Sequence, residues 1–272
     1  MVRLRLSLTF AIALVATRAS AHDQWLETAA AGPVPGATVE ARLFVGEAPV
    51  AEEQKPFERT KLARLELWSR NGRTDLLAGG TEGSQPLARA SGLGEGEFLI
   101  ALDRAPVLIQ LEPAKFEAYL ASEGLGAIVK ERQGRGEAAK PGRERYTRYV
   151  KALAYVGAPR AQGMSGKVVG QRLELTVDRA EPLRADSTFV VRVTFDGKPL
   201  AGARVEASLR AAEPTSSAGT TDARGGVSLR VATAGLVVIH LVHMRRCLEP
   251  GGTPCREADW ESFWGSFTTV VL

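Results

Sequence analysis

Short runs in which apolar and polar side chains alternate, each closed by a turn signal, recur along most of this chain. That two-residue period is what restricts its choice of fold, because it places one face of each run against a core and the other toward water. In STFVVRVTFDGKPLAGARVEASLR (187–210) the alternation breaks at Asp196-Gly197-Lys198-Pro199, a hairpin turn. QRLELTV (171–177), TTDARGGVSLRV (220–231), GLVVIHLVHM (235–244) and WGSFTTVVL (264–272) carry the same pattern. In the first half, VEARLFV (39–45) puts Val39, Ala41, Leu43 and Val45 on one face, and LARLELWS (62–69) runs into Asn71-Gly72. EFLIAL (97–102) and PVLIQLE (106–112) form a further pair, and 28 glycines and 14 prolines supply the turns.

Two stretches read differently. In 113–126, Phe116, Tyr119 and Leu120 share a helical face; in GRERYTRYVKALAYVG (142–157), Tyr146, Tyr149, Val150 and Leu153 follow helical spacing. Two amphipathic helices are expected, with the polar, glycine-bearing segment 130–142 a mobile loop between them. The tyrosines are read as core-facing rather than as redox or binding groups. The fold class is therefore mostly β: two β-sandwich domains, 22–165 with a helical insertion at 113–153, and 166–272, immunoglobulin-like or prealbumin-like.

The amino end, MVRLRLSLTFAIALVATRASA, has Arg3 and Arg5 in front of an apolar stretch and small residues Ala19 and Ala21 flanking Ser20. This is the pattern of a secretory signal peptide cut between Ala21 and His22, leaving a periplasmic or secreted protein. An uncleaved anchor is the alternative, though the apolar part falls short of the roughly 20 residues a spanning helix needs. Arg3, Arg5 and Arg18 leave with the segment and no acid does, so the formal charge of +4 falls to +1. Near-balance, without a basic run interleaved with aromatics, argues against nucleic acid as a partner.

Cys247 and Cys255 flank a loop containing Pro250, Gly251, Gly252 and Pro254. In an oxidising compartment they read as a disulfide, contributing about 2–3 kcal/mol in the chain-entropy picture. A pair of thiolate ligands is the other reading.

The chain carries no nucleophile elbow, phosphate-binding loop, zinc-protease helix or dinucleotide fingerprint. Chemistry must then come from few groups, and the three histidines, His22, His240 and His243, stand out. As the first residue of a mature chain, His22 would offer its α-amine and its imidazole to one ion, a nitrogen pair suited to Ni(II) or Cu(II). A further imidazole would complete the set. His240 and His243 lie in one strand at an odd separation and so project to opposite faces. His243, at the strand end beside the cysteine loop, is the expected second ligand, with Asp259 and Glu261 as further ligands or supporting groups and Trp25 nearby. Either strand histidine could instead be a structural residue.

The segments AHDQWLE, FEAYLASEGL, RERYTRYVKAL, GKPLAGARV, TTDARGG, VHMRRC and DWESFWGSFT, in this order, resemble a secreted bacterial family of unknown function linked to nickel uptake. Its members accompany, or are fused to, parts of nickel and cobalt transporters. The resemblance implies a periplasmic accessory for a transition metal, most plausibly nickel, working with a separate membrane transporter component. It matches the family pattern at His22, Trp25, His243 and residues 259–264, and leaves His240 outside.

Three functions follow from these readings. The first is a non-catalytic protein that captures Ni(II) or Cu(II) through His22 and His243 and supports its uptake. The second uses the same nitrogens as a copper brace in an oxidative enzyme. The third takes Trp25, Trp260 and Trp264 as platforms for sugars in a metal-free envelope module.

Overall fold

The computed structural model describes residues 22–272 other than 33, 213 and 250; the expected leader and its cleavage point lie outside the described residues. The first half contributes β1 (Asp23–Ala31), β2 (Ala37–Glu47), β3 (Val50–Lys55), β4 (Leu62–Ser69), β5 (Gly72–Asp75), β6 (Ala88–Leu93), β7 (Gly96–Arg104) and β8 (Val107–Leu111). Helices α1 (Pro113–Ser122) and α2 (Gly126–Gly134) follow, then the long strand β9 (Gly142–Val156). The second half comprises β10 (Leu173–Asp178), β11 (Ser187–Phe195), β12 (Lys198–Pro199), β13 (Arg204–Arg210), β14 (Thr215–Thr220), β15 (Gly226–Val231), β16 (Gly235–Arg246) and β17 (Trp260–Val271).

These strands build one nine-stranded sheet, in the order β14-β13-β16-β17-β9-β7-β4-β5 with β8 also on β9, and two four-stranded sheets. One small sheet holds β1, β2, β3 and β6; the other holds β10, β11, β12 and β15. They cover opposite faces of the large sheet, as β7 makes plain. Phe98, Ile100 and Leu102 pack with Leu26, Val39 and Leu43 of the first small sheet. Leu99 and Ala101, one step along, pack with Leu175, Val191 and Leu229 of the second. The mostly β, sandwich-type class read from the sequence is the one observed.

The expected division at residue 165/166 does not separate two hydrogen-bonded units. β17 runs parallel to β9, pairing Trp260 with Glu144 and Thr268 with Ala152, so strands from both halves share the central sheet. The segment between the halves is fastened from inside. Glu97 accepts from the backbone N–H groups of Gln162 (2.6 Å) and Met164 (2.9 Å). Glu174 accepts from those of Val169 (2.6 Å), Gly170 (3.0 Å) and Gln171 (3.2 Å) while pairing with buried Lys151 at 2.5 Å.

Two sequence expectations are corrected here. Residues 142–157 are strand, not helix, and the helical insertion shrinks from 113–153 to the two helices ending at Gly134. The reason is burial on both sides: Tyr149 and Leu153 face one core while Val150, Ala152, Ala154 and Val156 face the other. A doubly covered strand loses its polar alternation, and the surviving apolar spacing imitates a helix.

The polar segment after residue 130 is ordered as well. Arg132, 1% exposed, lies over the Phe116 ring at 4.8 Å. It donates to Glu117 (2.7 Å) and to the carbonyl of Lys140 (2.8 Å), closing the turn into β9. Gly142 is required at that turn, since a Cβ there would meet Phe116 Cγ at 2.2 Å.

Candidate functional site

Pairing of β9 with β17 sets Glu144 opposite Trp260, Tyr146 opposite Ser262 and Arg148 opposite Trp264. Alternation sends these side chains to the face covered by α1, where Tyr119 stacks on Trp264 at 5.6 Å with an interplanar angle of 11°. The Tyr119 hydroxyl donates to Glu144 Oε1 at 3.1 Å, the Ser262 hydroxyl donates to the same oxygen, and Trp264 Nε1 donates to Ser262 Oγ at 3.2 Å. Glu144 Oε2 has no partner among the described residues, and burial raises its carboxyl above the usual range.

Arg148 completes this face. Its guanidinium lies 4.5 Å from the Trp264 ring and 5.3 Å from that of Tyr146. Nη2 donates to the carbonyl of His22 at 2.8 Å, and burial lowers the pKa of the group. Strand β1 is held to the same sheet by Ser266, whose hydroxyl donates to the Gln24 carbonyl at 2.8 Å. The outcome is an open cleft of about 250 Å³ bordered by His22, Gln24, Glu144, Tyr146, Arg148 and Trp264.

His22 stands at the mouth of that cleft, exposed, with Nε2 2.8 Å from a Glu52 carboxylate oxygen on β3. Nε2 is thus the ring nitrogen turned toward Glu52, and Nδ1 is the one closer to the backbone nitrogen.

The second expected ligand is elsewhere. His243 projects from the other face of the central sheet, with ring centroids 4.6 Å from Phe195 and 6.1 Å from Phe263. Burial, with Arg245 alongside, lowers its pKa. The expected His22–His243 pair is therefore not assembled: His22 shares its cleft with Arg148 and Trp264, on the face that carries Val242.

Asp259 and Glu261 are committed to arginines. Asp259 takes a two-pronged bond from Arg143 (3.0 and 2.6 Å), which lowers its pKa. Glu261 accepts from Arg145 at 3.1 Å and Arg245 at 2.9 Å. Trp25 is wholly buried, stacked on Phe44 at 6.1 Å and donating to Glu27 at 2.9 Å. Trp260 is buried under Arg246, and Trp264 is 6% exposed. Trp25 and Trp260 are packing groups, while Trp264, packed against Tyr119 and Arg148, also borders the cleft. Cys247 and Cys255 form the disulfide, with S–S 2.12 Å.

His240, left outside the sequence pattern, faces the same side as Val242 and Trp264, half-buried, its Nδ1 without a partner among the described residues. Glu123, just past α1, has its pKa raised to about 7 by burial; the charge of His240 lowers it and that of Asp23 raises it. Glu144, Arg148 and Glu123 were missed in the sequence. Their signal, alternation of Glu144, Tyr146 and Arg148 along RERYTRY, was hidden by the helical reading of 142–157. Among the described residues, no three His, Cys, Asp or Glu side chains converge as a metal-binding group.

The family model described as a domain of unknown function, DUF4198, matches residues 19–245. The chain belongs to this family. No curated protein matches it. The DUF4198 match includes His22, Glu144 and Arg148 and ends before Trp264, so the cleft joins matched residues to a strand beyond the matched span. No helix among the described residues of this DUF4198 protein is long and apolar enough to cross a membrane.

Proposed function

We propose that the protein is a periplasmic binding protein that captures a divalent transition metal, nickel foremost, at its amino-terminal histidine and passes it to a membrane transporter component. The observation that carries this reading is the Glu52–His22 contact at 2.8 Å. It occupies Nε2 and leaves Nδ1 able to close a chelate ring with an α-amine released at residue 22. The Arg148 bond to the His22 carbonyl fixes the backbone that carries both nitrogens. Two nitrogens from one exposed residue suit cargo that must be released again. Cu(II) would bind the same pair more tightly than Ni(II), whatever the cargo.

The test is calorimetric titration of protein beginning at His22 with Ni(II) and Cu(II), beside protein carrying Ser20 and Ala21 in front of it. Blocking the amine is expected to weaken binding at least tenfold. Equal affinities would overturn the reading.

A further inference from the structure

Three of the eight buried side-chain polar atoms that lack a partner among the described residues belong to residues bordering the cleft: Gln24 Oε1, Glu144 Oε2 and Arg148 Nε. Each buried unpaired polar atom costs about 1–3 kcal/mol, so their grouping around one cleft calls for a physical reason. Two are acceptors and one is a donor, and the two charged residues are 1% and 8% exposed.

That combination selects against simple ions. A bare cation meets the Arg148 guanidinium stacked on Trp264, and a bare anion meets the Glu144 carboxyl. A molecule carrying both charges satisfies both. Lys55, which also pairs with Glu53, borders the same cleft and adds an ammonium donor, while Val45, Ile109 and the Trp264 ring offer apolar surface. At about 250 Å³ the space is matched by one small molecule.

We infer that this cleft binds a free α-amino acid with a mid-sized apolar side chain. The ammonium group is received by Glu144 and Gln24, the carboxylate by Arg148 and Lys55, and the side chain lies against Val45, Ile109 and Trp264. His22 borders the same cleft, but this reading needs neither the α-amine of residue 22 nor a bound ion.

The experiment is calorimetry on protein beginning at His22, stripped of metal with a chelating resin, against L-leucine, 4-methylpentanoate and 3-methylbutylamine. The first has both charged groups; the others each lack one. Leucine is expected to bind, with both analogues at least tenfold weaker, and Glu144→Gln is expected to weaken leucine at least tenfold. Absence of leucine binding would overturn the inference, as would an analogue that binds equally well. So would a folded Glu144→Gln protein with unchanged affinity, its fold checked by circular dichroism. Should that variant fail to fold, the three-ligand comparison on the unaltered protein decides alone. Because no metal is present, failure of the nickel titration leaves this outcome untouched.

Discussion

Arg148 holds the carbonyl of His22 at 2.8 Å although 126 residues separate them in sequence. The bond reaches from a central strand of the large sheet to the start of β1. The guanidinium is planar and lies between Trp264 and Tyr146, so a lysine could keep the charge without the stack or the directed N–H. Arg148→Lys is expected to cost about 1–3 kcal/mol in urea unfolding and to shift tryptophan emission to the red. Loss below about 0.5 kcal/mol would contradict the anchoring role, being no more than an ordinary surface change.

Glu123 predicts a pH dependence whose sign can be worked out. Its folded pKa, raised to about 7, lies above the ordinary glutamate value of 4.5. The folded protein thus binds its proton more tightly than the unfolded chain, and this contribution to stability is complete below pH 4.5 and lost as pH rises through 7. Urea midpoints measured from pH 5 to pH 8 should fall less in Glu123→Gln than in the parent. Parallel curves would refute the assignment.

Lys151 and Glu174 are 1% and 3% exposed, paired at 2.5 Å. Lys151→Met leaves the carboxylate buried without its counter-charge, and a loss of about 3–5 kcal/mol is expected. Chemical denaturation measures it directly, and a loss under 1 kcal/mol would show that water reaches the pair.

His243→Ala is expected to leave Ni(II) affinity unchanged while lowering the urea midpoint, because the ring packs against Phe195, which also contacts Phe263, on the far face of the sheet. His22→Ala should do the reverse, abolishing Ni(II) binding with little change in stability. A tenfold or larger drop in Ni(II) affinity on His243→Ala would restore the pairing expected from the sequence.

Replacing Cys247 and Cys255 together by serine is expected to cost about 2–3 kcal/mol, the value for a short closed loop. Leucine and metal titrations should be unaltered, since neither cysteine borders the His22 cleft.

Most strands were legible because their outer faces stay polar: Val39, Ala41 and Leu43 are buried while Glu40 and Arg42 between them are only partly so. β9 was not, because both its faces are covered and alternation carries no information there. The same blindness hid the cleft, since Glu144 and Arg148 reside on that strand. The opposite projection of His240 and His243 was readable from strand geometry alone. What a single sequence withheld was which of those two faces the amino end would reach, a matter of how the β1 sheet lies on the large one. The disulfide was legible from spacing and turn residues, whereas the arginines that claim Asp259 and Glu261 come from elsewhere in the chain and left no local mark.

β17 lies between β16 and β9 in the middle of the large sheet, antiparallel to the one and parallel to the other. On the ribosome it is the last of the described strands to emerge, so β9 keeps one edge open until residues 260–271 have been made, whatever the first half has already built. Truncation ahead of Trp260 would expose that edge together with the Tyr119 and Arg148 surfaces that Trp264 covers, inviting aggregation rather than a smaller stable protein. A sheet wired in this way closes only when β17 has slotted between two partners that precede it in the chain.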